Sequence, residues 1–121
     1  MKLLKSATIA VIVIGCIHTA ATPMIAKMYS SLEYHLFLTF LYMFLITGFA
    51  MIFIGWIQYY LIKNDFVNKK SQFIIKACIY FIILMGVGAV AAMWDNPFAY
   101  LAFITGIIQL ISMNKQLSKI Q

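Results

Sequence analysis

Charged residues divide the chain into long uncharged gaps, and the lengths of those gaps predict its elements. A helix that crosses the hydrocarbon core of a bilayer needs about 20 apolar residues. Four gaps are near that length: Lys5 to Lys27, Glu33 to Lys63, Lys76 to Asp95 and Asp95 to Lys115. The predicted helices cover about 6–27, 34–62, 72–94 and 97–114. The third starts before Lys76, whose long side chain reaches back to the head groups. Short connections favour antiparallel neighbours. The expected fold is therefore all-α and polytopic: a single domain over residues 1–121, with four transmembrane helices in an up-down-up-down bundle.

Turn and breaker signals refine the boundaries. Asn96-Pro97 offers an N-cap followed by proline at the first helical position. Ser30-Ser31-Leu32-Glu33 fits a capping box, with Ser30 as cap and Glu33 reaching back. Pro23 has no amide hydrogen and its ring clashes with the carbonyl of Thr19, which predicts a kink in the first helix. Between helices 2 and 3 the loop is polar except for Phe66 and Val67, which are expected to dip back toward the interface.

Composition agrees with a membrane protein. Of 121 residues, 64% are hydrophobic and 10% charged, against roughly a quarter charged in soluble domains. Disordered, collagen-like and disulfide-framework classes are excluded on the same ground. Cys16 and Cys78 lie inside apolar runs with no CxxC or zinc spacing, as small packing residues do. The net charge of +6 comes from lysine alone, without arginine. Topology explains it better than nucleic acid does, because short cytoplasmic loops accumulate lysine. Lys2 and Lys5 precede helix 1, Lys63, Lys69, Lys70 and Lys76 surround the second loop, and Lys115 and Lys119 follow helix 4, leaving only Lys27 on the other side. Both termini are thus expected to be cytoplasmic, in a bacterial inner membrane. Trp56, Tyr59 and Tyr60 would form an inner aromatic belt, and Tyr34, Trp94 and Tyr100 an outer one. Lys2, Lys5 and Val13-Ile14-Gly15-Cys16 also fit a lipoprotein-type signal peptide. The apolar run continues past Cys16 to Ala26, however, and a spanning helix is the expectation.

Packing in lipid relies on small residues and on polar side chains turned inward. Gly15, His18 and Thr22 share a face of helix 1, and Thr105, Gln109 and Ser112 share one of helix 4. Gly48 and Gly55 of helix 2, and Gly86, Gly88, Ala89 and Ala92 of helix 3, predict close crossings. An ionisable group at membrane depth marks a candidate site, and His18 lies about 18 Å along its helix, next to the kink. The expected site is an outer-half cavity around His18, Thr19 and Thr22, with Tyr42, Thr105 and Gln109 as further candidates. The plainer alternative is a packing histidine bonded to Gln109, Thr105 or a helix carbonyl. Glu33, His35, Asp95 and Asn96 form an outer polar rim. No catalytic residue, metal or cofactor is expected. Ser30 and Ser31 lack an oxyanion-type glycine motif, His18 and His35 sit at different depths, and no acid is embedded at mid-membrane.

At Gly15-Cys16-Ile17-His18, followed by Gly48 to Gly55 in an aromatic-rich second helix, the chain resembles the short bacterial four-helix membrane proteins called DoxX-like. The resemblance covers the first two helices and implies a four-helix membrane fold without implying an activity. The Thr22-Pro23 pair departs from it. The functional expectation is a small, non-enzymatic integral protein acting through helix packing with itself, as a homo-oligomer, or with a membrane partner. The alternative is a binding or transport module for a small molecule or lipid, built on the cavity around His18. The bilayer is its constant partner.

Overall fold

The structure, a computed structural model, describes residues 1–94 and 97–119. It contains α1 (Lys2–Ala20), α2 (Thr22–Met28), α3 (Tyr34–Asn64), α4 (Lys69–Ala92) and α5 (Pro97–Leu117), with no strand among the described residues. Three of these helices, α1, α3 and α4, are long and apolar enough to cross a membrane.

Several boundaries differ from expectation for identifiable reasons. The first predicted helix is two: α1 ends at Ala20 and α2 starts at Thr22. The break falls at Ala21, just ahead of Pro23, which occupies the first turn of α2 and cannot donate a backbone hydrogen bond. The capping box does not form. Ser30 Oγ instead donates to the Lys27 carbonyl at 2.9 Å, closing the end of α2, and the Leu32 amide bonds back to the Tyr29 carbonyl at 3.1 Å. After that turn α3 starts at Tyr34, where the uncharged gap after Glu33 puts it, with Glu33 itself as the N-cap residue and without a side-chain cap bond. In α4 the cap is Asn68, whose side chain accepts from the Lys70 amide at 2.9 Å, so the helix begins at Lys69 rather than near 72. The expected Asn96 cap lies outside the described residues; Pro97 is the first residue of α5, which runs to Leu117 rather than 114.

The four long helices form a ring in which α1 packs on α3 and α5, and α4 packs on the same two. The short α2 folds against α3 and α1. Neighbours run antiparallel: Thr8 of α1 meets Gln109 of α5, while Val11 clusters with Ala102. Lys2, Lys63, Lys69 and Lys115 therefore gather at one end of the ring, and α2 lies at the other.

Glycine sets how closely the helices approach. A β-carbon on Gly15 would lie 2.8 Å from the Gly48 carbonyl, and one on Gly86 only 2.6 Å from the backbone N and Cα of Phe103. The α1–α3 and α4–α5 crossings are thus backbone against backbone. Gly88, on the same helix as Gly86, has open space where a β-carbon would go.

Two apolar layers fill the ring. Leu4, Ile62, Phe66, Ile75, Ile79 and Met113 pack together at the lysine-rich end. Val11, Met51, Ile82 and Ala102 form the second, nearer α2. Phe66 goes further inward than an interfacial dip, to 6% exposure, whereas Val67 stays outside. The Ser71 hydroxyl on Asp65 (2.6 Å) and the Gln72 amide on the Phe66 carbonyl (3.0 Å) staple this loop. Large apolar side chains such as Val13, Phe49, Phe53, Leu84 and Ile111 cover the outside. Water-soluble proteins rarely expose such a continuous apolar surface; the surrounding solvent here is lipid.

Candidate functional site

The site arises where small side chains meet at one level of the ring. At the lysine-rich end the inward positions carry Leu4, Ile62, Ile75 and Ile79, which meet and fill the centre. At the α2 end α4 and α5 contribute the small Ala89, Ala99 and Ala102 beside Met85 and Leu101, and the helices line a partly open cavity of about 380 Å³. That volume falls in the usual range of small-molecule pockets, roughly 300–1,000 Å³. All five helices contribute to its wall.

His18 lines the cavity. Its imidazole stacks on Phe44, with ring centroids 3.7 Å apart and planes at 22°. Its Nε2 is buried without a hydrogen-bond partner among the described residues, as are the hydroxyls of Thr19 and Thr22. Three unpaired polar atoms thus cluster around the α1–α2 break. The Thr19 hydroxyl occupies the space where a β-carbon on Gly48 would lie, so it faces α3. Thr47, one turn from Phe44, donates to its own helix at the Met43 carbonyl (2.8 Å) and also lines the cavity.

The other predicted residues lie elsewhere. Gln109 does not meet His18. Its amide nitrogen donates to Thr8 Oγ1 (3.1 Å) and to Gln58 Oε1 (3.0 Å), while Gln58 Nε2 reaches the Ile75 carbonyl at 3.5 Å. The reason is register. Antiparallel packing sets Gln109 opposite Thr8, and ten residues of helix, about 15 Å, separate Thr8 from His18. Thr105 is buried in α5 and Tyr42 is exposed on α3; neither lines the cavity. Glu33 and His35 are exposed at the start of α3, where the His35 ring meets Tyr34 edge-on. Asp95 and Asn96 lie outside the described residues.

A polar layer that joins all four long helices therefore lies between the two apolar layers, and sequence reasoning missed two of its members, Thr8 and Gln58. A lone glutamine in the long uncharged run after Glu33 was the available signal. The methionines of the cavity wall were also missed: Met24, Met28, Met51, Met85 and Met93. The spacing of Met24 and Met28, one helical turn apart, was legible, but their common depth with Met51 and Met85 was not.

Below the cavity the ring is closed by an apolar layer, the polar layer and a second apolar layer. Among the described residues no group of three or more His, Cys, Asp or Glu side chains is placed to hold a metal ion. Both cysteines are free thiols. In comparisons with known proteins, the chain matches no family model, no curated protein and no solved structure. Fold and surface define its class: an all-helical integral membrane protein with a partly open cavity at one end of its helix ring.

Proposed function

We propose that the chain crosses a bacterial cytoplasmic membrane four times, up-down-up-down, with both termini inside, and serves as a non-enzymatic binding module whose pocket lies in the outer half. The observation that carries this reading is the asymmetry of the ring. The lysine-rich end is filled by layers of large apolar and hydrogen-bonded side chains, whereas the α2 end holds the cavity. Lysine collects on the cytoplasmic side of short loops, so the filled end faces inward. A cavity closed below suits holding a ligand and does not suit conduction. The reading shares a four-helix membrane architecture with DoxX-like proteins and takes no activity from them.

Native mass spectrometry of the protein, gently extracted from its own membrane, tests the binding role. A stoichiometric small ligand is expected on the natural protein and is lost from Ala89→Phe, whose ring occupies the cavity. Bare protein in both forms overturns the reading. Orientation is checked with an impermeant thiol reagent on intact cells, after both native cysteines are replaced by alanine. Ser31→Cys should label and Asn68→Cys should not; the reverse pattern would place the pocket in the inner half. One observation favours a second reading, self-association: Gly88 leaves open the kind of close-approach surface that the other glycines use internally. The subunit number in the same spectrum reports on it.

A further inference from the structure

We infer that the cavity takes a soft monovalent metal ion of the copper(I) type, bound by methionine thioethers together with the imidazole of His18. This rests on the reading of the cavity as a ligand site and names its ligand class. Five of the eight methionines in the chain line this one cavity. They come from three different helices, and they occupy it from top to bottom. Met24 and Met28 stand one turn apart on α2, 60% and 64% exposed, at the entrance. Met93 is the C-cap residue of α4. Met51, 3% exposed, and Met85, packed against the same apolar cluster, make the floor.

The donor set selects the ion. Thioether sulfur is a neutral, polarisable donor that suits copper(I), whereas magnesium, calcium and manganese require oxygen ligands. The described lining residues include no carboxylate and no lysine. Neither charge is compensated by this wall, but the cost of taking an ion out of water rises with the square of its charge, so that cost for a monovalent ion is about a quarter of what it is for a divalent ion of the same size. His18 adds an imidazole whose Nε2 has no hydrogen-bond partner among the described residues. Methionine side chains have three rotatable bonds, so two or three sulfurs can turn toward an ion beside His18. The competing explanation is that methionine fills irregular gaps. Residues recruited to fill a gap would not leave 380 Å³ open, nor stand mostly exposed at its entrance.

The test uses the full chain in lipid nanodiscs, with Cys16→Ala and Cys78→Ala introduced so that thiols do not compete for the metal. Copper(I), kept reduced under anaerobic ascorbate, is titrated against a chromogenic copper(I) chelator, and silver(I) serves as a redox-inert probe. One ion per chain is expected, with sulfur and nitrogen neighbours in X-ray absorption. Met51→Leu with Met85→Leu should weaken binding at least tenfold. Leucine preserves volume, so the thermal unfolding midpoint of that variant stays near that of its parent. Met43→Leu, exposed on α3 and absent from the cavity wall, should leave binding unchanged. Absence of metal binding in the cysteine-free protein, or binding insensitive to the floor substitutions, overturns the assignment. A retained organic ligand that Ala89→Phe removes, in a protein that takes up no copper(I) or silver(I), would sink the metal assignment and leave the pocket standing. An empty pocket in every assay would sink both.

Discussion

Gly86→Val is expected to be the most damaging small substitution in the chain, at about 3 kcal/mol, the upper part of the usual overpacking range. The added β-carbon would sit 2.6 Å from backbone atoms of Phe103, which no side-chain rotation relieves, so α4 and α5 must separate along their length. Gly88→Val is the internal control. It makes the same chemical change on the same helix, two residues on, at a position with open space, and is expected to stay within about 0.5 kcal/mol of the natural protein, as surface substitutions do. Reversible unfolding in bicelles measures both. Equal losses would show that the α4–α5 crossing is not where Gly86 puts it.

The second large effect belongs to the glutamine pair. Gln109→Leu removes the donor to Gln58 Oε1 and leaves that buried oxygen unpaired. Gln58→Leu takes away one acceptor of the Gln109 amide. Unpaired buried polar groups cost about 1–3 kcal/mol, and hydrogen bonds inside membranes are measured toward the lower end, so each single change should cost about 1–2 kcal/mol. The double variant, Gln58→Leu with Gln109→Leu, should cost less than the two singles together, because neither partner is then stranded. A double-mutant cycle reads that shortfall directly. Strict additivity would mean the two amides do not share a bond.

The helices were legible because charge placement in this chain is sparse and systematic: the four uncharged gaps hold most of α1 with α2, α3, α4 and α5, although α1 and α4 begin ahead of theirs, at Lys2 and Lys69. The interruption of the first helix could be read from Pro23, although the break falls at Ala21. The glycine crossings were legible at Gly15, Gly48 and Gly86, since a small residue in lipid has few other uses. The site was only half visible. His18 could be found by its type, and it does line the cavity. Its partners could not, because which residue of α5 lies level with which residue of α1 depends on the register of two packed helices, and periodicity on one helix carries no information about that. Gln109 was therefore assigned to the wrong depth, and the methionine wall, assembled from α2, α3 and α4, stayed hidden. The start of α3 at Tyr34 was legible from the charge on Glu33, whereas the capping box was not formed because Ser30 bonds back to the Lys27 carbonyl.

The helices of the ring are unequal in length. At about 1.5 Å per residue, the 31 residues of α3 run about 46 Å and the 19 of α1 about 28 Å, against a hydrocarbon core about 30 Å thick. The lipid beside α1 meets a well-matched wall, and the lipid beside α3 meets one that is too tall. A bilayer answers such a mismatch by thickening locally or by tilting the protein. That accommodation falls on the flank that carries α3. Longer-chain lipids are therefore expected to be enriched against α3, giving a nearly featureless apolar surface a preferred side.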